Sequence, residues 1–238
     1  MIDLQLGKYL AELHSNVQND WFGMPILGAD TEGDGKGPSK PPSDSEPICY
    51  SWQETFTLLF EELLESVKSK LESEPNGDFT IPFESIHTSM SRAIAFFLFD
   101  DVEVPSLVWL TGSDTDIYLS CPSHPSTKTP GIVALLPSMP HMLWGDPLLE
   151  SFFISLGHGG GKPESCKAIV EGYVASGGSP LISFPRQKTK RTWYTLFLAL
   201  SLLNDYLSSD EAIPEGKKRW IQEMVHTCTE ELKTAPPY

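Results

Sequence analysis

Three short apolar runs in the middle of the chain constrain the fold more than any other feature of the sequence. They cover residues 107–110, 117–119 and 132–136, and glycine, serine, aspartate and proline residues stand between them. Runs of this length, bounded by turn-forming residues, predict short β-strands joined by loops. Loops on a rigid scaffold are the usual carriers of functional side chains. We therefore expect any functional site to lie beside this small β patch, within residues 106–150.

Helical spacing of apolar residues accounts for most of the remaining chain. It predicts helices over residues 3–14, 51–72, 82–99, 147–156, 164–175, 192–207 and 214–232. The segment 192–207 is apolar nearly all round, as is typical of a central core helix. Residues 28–47 contain almost no apolar side chain and predict a flexible loop. Together these patterns predict one mainly α domain with a small β element (α+β) that spans residues 1–238.

Composition excludes several classes of partner. The chain has 32 acidic and 17 basic residues and a net charge of -15, which repels nucleic acid and anionic membrane surfaces. It contains neither an apolar run of about 18 residues nor a signal-peptide pattern, so we expect a cytoplasmic protein with no membrane partner. The four cysteines and the histidines lack metal-ligand spacing, so no metal site is predicted. The oligomeric state stays open.

Several segments resemble a known family. LGKYLAELHS, YSWQETF, LWGDPLLESFF and WYTLFLALSLLNDYL resemble the aminoglycoside-phosphotransferase-like family, especially its filamentous-fungal branch, and LWGDPLLE is the most specific of them. The resemblance covers nearly the whole chain and implies the helical C-terminal lobe of a protein-kinase-like phosphotransferase. Family members carry an ATP-binding lobe ahead of the first of these segments, so we expect that lobe to be absent here. Either the chain starts late or the protein has lost nucleotide binding.

The motif that carries phosphoryl transfer in this family is changed. Family kinases use His-x-Asp-x-x-x-x-Asn, and the matching positions in LVWLTGSDTDIYLS are Trp109, Thr111 and Asp116. The family's metal-binding aspartate corresponds to Ser138. Threonine is no carboxylate base, and a lone aspartate is a poor magnesium site. The resemblance therefore implies a lobe without phosphoryl transfer, in which Asp146 of the WGDP segment has a structural role.

Other acid–base groups remain near this altered motif. Asp114 and Asp116 are two residues apart, so one face of a strand could hold both, and their proximity would raise one pKa and create a general acid. His141 is the candidate partner for that acid. The alternative interpretation places both aspartates on a solvated turn and gives His141 no role.

The same segment contains candidate pocket residues. Aromatic and hydroxyl side chains replace the anionic groups of a kinase site, which suits an apolar small-molecule substrate better than a nucleotide. The predicted substrate-binding residues are Trp109, Thr111, Tyr118, Ser138 and Trp144. For the aromatic residues, packing into the core is the alternative role.

Three functions are compatible with the sequence. The first is a non-phosphorylating small-molecule enzyme of secondary metabolism, a cyclase, isomerase or lyase that needs no cofactor because acid–base groups and a shaped pocket suffice. The second is a catalytically silent, pseudokinase-like binding or scaffold protein. The third is a small-molecule kinase represented by an incomplete chain.

Overall fold

The computed structural model describes residues 1–25, 49–73, 79–111, 114–120, 130–136, 141–154, 167–209 and 213–236. The loop predicted over residues 28–47 lies outside these ranges. The described residues form six α-helices and four short strands, and the strands pair into two separate sheets. This mainly helical architecture with a small β element confirms the predicted α+β class. Among the described helices, none combines the length and apolar character needed to cross a membrane.

Most predicted helices form close to their expected bounds. The helices are α1 (Ile2–Asn16), α2 (Trp52–Ser73), α3 (Phe83–Ala95), α4 (Lys167–Ala175), α5 (Pro185–Leu207) and α6 (Glu215–Thr234). The helix predicted from residue 147 was wrong, because two single 3-10 turns, Pro147–Leu149 and Ser151–Phe153, occupy its first part. The Asp146 carboxylate accepts from the backbone of the first turn, and Glu150 accepts from the backbone of the second. Each side chain therefore caps its own turn.

Helix α5 lies at the centre of the core, as its all-round apolar sequence predicted. It packs against α2 and α6. The Tyr194 ring meets Phe56 of α2 edge to face at 5.1 Å, and Trp193 meets Phe60 in the same way at 5.3 Å. Such aromatic pairs contribute about 0.5–1.5 kcal/mol each beyond the burial of their area. This packing gives the β patch a rigid support.

The four strands form two antiparallel pairs. They are β1 (Ser106–Trp109), β2 (Ile117–Leu119), β3 (Ile132–Leu135) and β4 (Met142–Gly145). Strand β1 pairs with β4, and β2 pairs with β3 across a bulge at Tyr118. The three predicted strands are confirmed. Strand β4 was missed, because its four residues, which overlap the start of the LWGDP segment, show no alternation of apolar and polar side chains.

Two glycines let α1 and α4 cross at backbone contact. A Cβ atom on Gly7 would lie 2.0 Å from the carbonyl oxygen of Ile169, and one on Gly172 would lie 2.2 Å from that of Leu4. Both distances are far below van der Waals contact. Gly7 weakens α1 as an isolated helix, but the crossing requires it.

We predict that Gly7→Ala destabilises the protein by about 1–3 kcal/mol, because the added methyl group forces the two helices apart. Chemical denaturation of both proteins measures the difference. Gly216→Ala is the control, since a Cβ on Gly216 in α6 meets nothing within 4 Å. It should be neutral or stabilising by up to about 1 kcal/mol. Equal stability of Gly7→Ala and the wild type would show that the helices separate at no cost.

Candidate functional site

The β1–β4 ladder has two ends with different surroundings. Trp109 pairs with Met142 at one end, and Ser106 pairs with Gly145 at the other. A strand of four residues separates the two ends by roughly 10 Å. The predicted site residues Trp109, Thr111 and His141 belong to the first end, which is called the loop end below.

Trp109 is a core residue at the loop end. It is 5% exposed, and its backbone N–H donates to Oε2 of Glu150 at 2.9 Å. Its ring meets Phe152 edge to face at 5.8 Å. The indole Nε1 is buried and has no hydrogen-bond partner among the described residues. The side chain therefore has the packing role of the alternative interpretation, together with an unsatisfied donor.

Thr111 and His141 lie on neighbouring segments of the backbone. Leu110 donates its backbone N–H to the carbonyl oxygen of His141 at 2.9 Å, one residue before Thr111. Both predicted site residues are half-buried. Asp205 of α5, which sequence reasoning missed, lies within electrostatic range of His141. Burial raises the pKa of Asp205, while the charges of His141 and Lys70 oppose that shift.

The aspartates lie on the β2–β3 hairpin. Residues Asp114–Asp116 form a 3-10 turn immediately before β2, in agreement with the turn interpretation. Asp116 is half-buried, and its carbonyl oxygen accepts from the backbone N–H of Leu136 at 2.9 Å. In the described residues, no hydrogen bond or ion pair joins the side chains of Asp116 and His141. Tyr118, farther along β2, is 51% exposed.

The other predicted site residues are Trp144, Ser138 and Asp114. Trp144 is half-buried, and its backbone exchanges two hydrogen bonds with Gly23. Ser138 and the side chain of Asp114 lie outside the described part of the chain. Two surface cavities, of about 650 and 480 Å³, are lined by described residues, and neither includes any of the eight predicted site residues.

Glu150 is the residue that positions the loop end, and sequence reasoning missed it. It is completely buried. Besides Trp109, its carboxylate accepts from the backbone N–H of Phe152 at 3.2 Å and lies 3.6 Å from Nε2 of His14. A buried carboxylate with several donors fixes the backbone that it contacts. Its place in LWGDPLLE was visible, but only the fold shows that it reaches β1.

Asp146 has the structural role predicted for it. Its carboxylate accepts from Leu148 N–H at 2.9 Å and Tyr194 O–H at 2.8 Å, and it pairs with Lys190 at 2.5 Å. These contacts join the turn after β4 to α5. Burial, reinforced by the negative charge of Asp146, raises the pKa of Tyr194, so its hydroxyl group remains a donor. Burial lowers the pKa of Arg191 to about 10, which leaves it charged at neutral pH.

The described residues contain no group of three or more histidine, cysteine, aspartate or glutamate residues that could hold a metal ion. Comparison of the chain with protein-family models, curated proteins and solved structures finds no match. The resemblance to the phosphotransferase-like family therefore remains a prediction that the quoted segments carry.

We predict that Glu150→Gln destabilises the protein by about 2–4 kcal/mol, because an amide cannot accept from both backbone donors without turning its own N–H groups toward one of them. Hydrogen exchange at the Trp109 amide should accelerate in the same variant. Denaturation and exchange measured by NMR test both effects. Glu12→Gln is the control, since its pair with Lys8 is exposed and such pairs contribute about 0–1 kcal/mol. An unchanged hydrogen-exchange rate at the Trp109 amide would show that Glu150 does not fix the backbone of β1.

Proposed function

We propose that this protein is a kinase-like lobe that does not transfer phosphoryl groups and acts as a small-molecule enzyme of fungal secondary metabolism. The ligand would bind at the loop end of the β1–β4 ladder. The resemblance places Trp109 and Thr111 where a phosphotransferase needs histidine and aspartate, and neither replacement can take their part in that reaction.

The unsatisfied indole of Trp109 carries this proposal. A buried donor without an acceptor costs about 1–3 kcal/mol, so native proteins retain few of them without a reason. A bound ligand with a carbonyl, ether or hydroxyl oxygen would supply the missing acceptor. Phe152 beside the indole favours an apolar body for the same ligand. The expected substrate is thus an apolar molecule that carries a hydrogen-bond-accepting oxygen.

Asp116 and His141 are the proposed acid–base groups. Both are half-buried, which leaves them accessible to a bound molecule. Proton transfer by positioned side chains of this kind contributes about 10²- to 10⁴-fold to a rate. Cyclisation, isomerisation and elimination need only such transfers and a shaped pocket, so the proposed chemistry requires no cofactor.

A silent binding or scaffold role is the second candidate. Two observations among the described residues favour it: no hydrogen bond or ion pair joins the side chains of Asp116 and His141, and the Glu150 carboxylate accepts from the backbone of β1. A scaffold protein needs the contact between Glu150 and β1 but needs no acid–base pair.

We predict that magnesium and ATP leave the melting temperature of the protein unchanged, because Thr111 and Ser138 stand where the family has its carboxylates. Thermal-shift measurements with ATP, with magnesium and with both test this. A rise in melting temperature that requires ATP and magnesium together would instead indicate a nucleotide-binding kinase.

We predict that Asp116→Asn lowers turnover by about 10²-fold or more and leaves the fold intact. Mass spectrometry of a fungal small-molecule extract incubated with the protein supplies the assay, and circular dichroism checks the fold. Asp20→Asn, at an exposed position, is the control. Full activity of Asp116→Asn would remove this residue from the mechanism, and an extract unchanged by the wild type would favour the scaffold.

A further inference from the structure

Neighbouring segments cover the outer edges of three of the four strands. Strand β1 forms a bridge with Gln18 at its outer edge, and Gly23 exchanges two backbone hydrogen bonds with Trp144 at the outer edge of β4. In the other sheet, the side chain of Gln5 in α1 accepts from the backbone N–H of Ile132 in β3 at 3.1 Å. In the part of the chain that the structure describes, β2 is the strand whose outer edge has no such cover.

The pairing with β3 turns the backbone groups of two β2 residues outward. The carbonyl oxygen of Asp116 accepts from the residue after β3 at 2.9 Å, and the N–H of Ser120 donates to the residue before β3 at 2.8 Å. Because the backbone groups of successive residues point to opposite sides of a strand, those of Ile117 and Leu119 point away from β3. Outside the β2–β3 ladder, the described residues offer these groups no hydrogen-bond partner.

The open edge of β2 carries neither of the residue types that commonly block such an edge, which are charged residues and proline. Strands β2 and β3 consist of the segments IYL and IVAL. Tyr118 and Leu119 are 51% and 43% exposed. An exposed, uncharged edge is a template for another strand. On a chain with a net charge of -15, it is also a place where two copies repel each other little.

We infer that β2 pairs antiparallel with β2 of a second copy of this chain, so that the two hairpins form one four-stranded sheet. A two-fold axis beside Tyr118 places Ile117 of each copy opposite Leu119 of the other. These two pairs exchange four backbone hydrogen bonds, and the two Tyr118 residues form the closer, non-hydrogen-bonded pair between them. The inference does not rest on the proposed function.

The register explains why a second copy fits this edge. It joins the two exposed Tyr118 rings in an aromatic cross-strand pair, and it sets Asp116 opposite Ser120, so no like charges face each other directly. The same patch serves both copies, as a two-fold contact requires. The four-stranded sheet then ends at β3 of each copy, where Gln5 covers the edge, so assembly stops at a dimer. Because the paired strands are short, we expect a weak dimer.

Sedimentation equilibrium of the full chain tests the inference. Between about 10 µM and 1 mM, the wild type should shift from monomer toward dimer. Tyr118→Lys should stay monomeric, because it brings two ammonium groups together beside the axis. Tyr50→Lys is the matched control at a position that is 72% exposed and lies outside both sheets, and it should dimerise like the wild type.

Two results of this experiment would overturn the inference. One is a wild type that stays monomeric over the whole concentration range, which would leave the edge of β2 to a strand of another protein. The other is a dimer that persists in Tyr118→Lys or is lost equally in Tyr50→Lys, which would place the contact elsewhere on the surface.

Hydrogen exchange measured by NMR locates the contact without any variant. In the wild type, the amides of Ile117 and Leu119 should exchange at least about threefold more slowly at the highest concentration than at the lowest. The Ser120 amide, which bonds within the hairpin, should exchange at the same rate throughout, and in Tyr118→Lys its rate reports whether the hairpin is intact. A dimer in which exchange at Ile117 and Leu119 is independent of concentration would overturn the inferred pairing.

Discussion

The hydrogen bond between the Glu150 carboxylate and the backbone of Trp109 connects the end of β1 to the 3-10 turns after β4. Trp109 ends β1, and Glu150 lies 41 residues later in the chain, after β4. Because the carboxylate is completely buried, it keeps its position only while several donors surround it. The backbone at the end of β1, just before Thr111, is therefore held in place.

Asp146 extends the same principle toward the core. It anchors the turn after β4 to α5 through Tyr194 and Lys190, and the Tyr194 hydroxyl also accepts from the indole N–H of Trp52 at 2.7 Å. These hydrogen bonds, from Trp52 to Tyr194 and from Tyr194 to Asp146, connect α2 through α5 to the turn after β4. Lys190 and Arg191 supply the positive charge that two buried carboxylates require. This polar network explains how a sheet of only two strands obtains a rigid setting.

The two ends of the β1–β4 ladder differ in their chemistry. At the loop end, the buried indole of Trp109 has no hydrogen-bond partner among the described residues, and Asp116 and His141 are half-buried. At the other end, the buried Lys190 is paired with Asp101 and Asp146. Buried carboxylates position the backbone at both ends, Glu150 at the loop end and Asp146 at the other.

The sequence by itself determined the helical class, the core position of α5 and three of the four strands, because these follow from local apolar spacing and turn-forming residues. It also placed Asp114–Asp116 in a turn under one of its two interpretations. The tertiary structure alone decided strand β4, the role of Glu150, the approach of Asp205 to His141 and the need for glycine at position 7. Each of these depends on a partner far away in the chain. Neither local propensity nor residue spacing carries information about such a partner, so only the packed fold shows it.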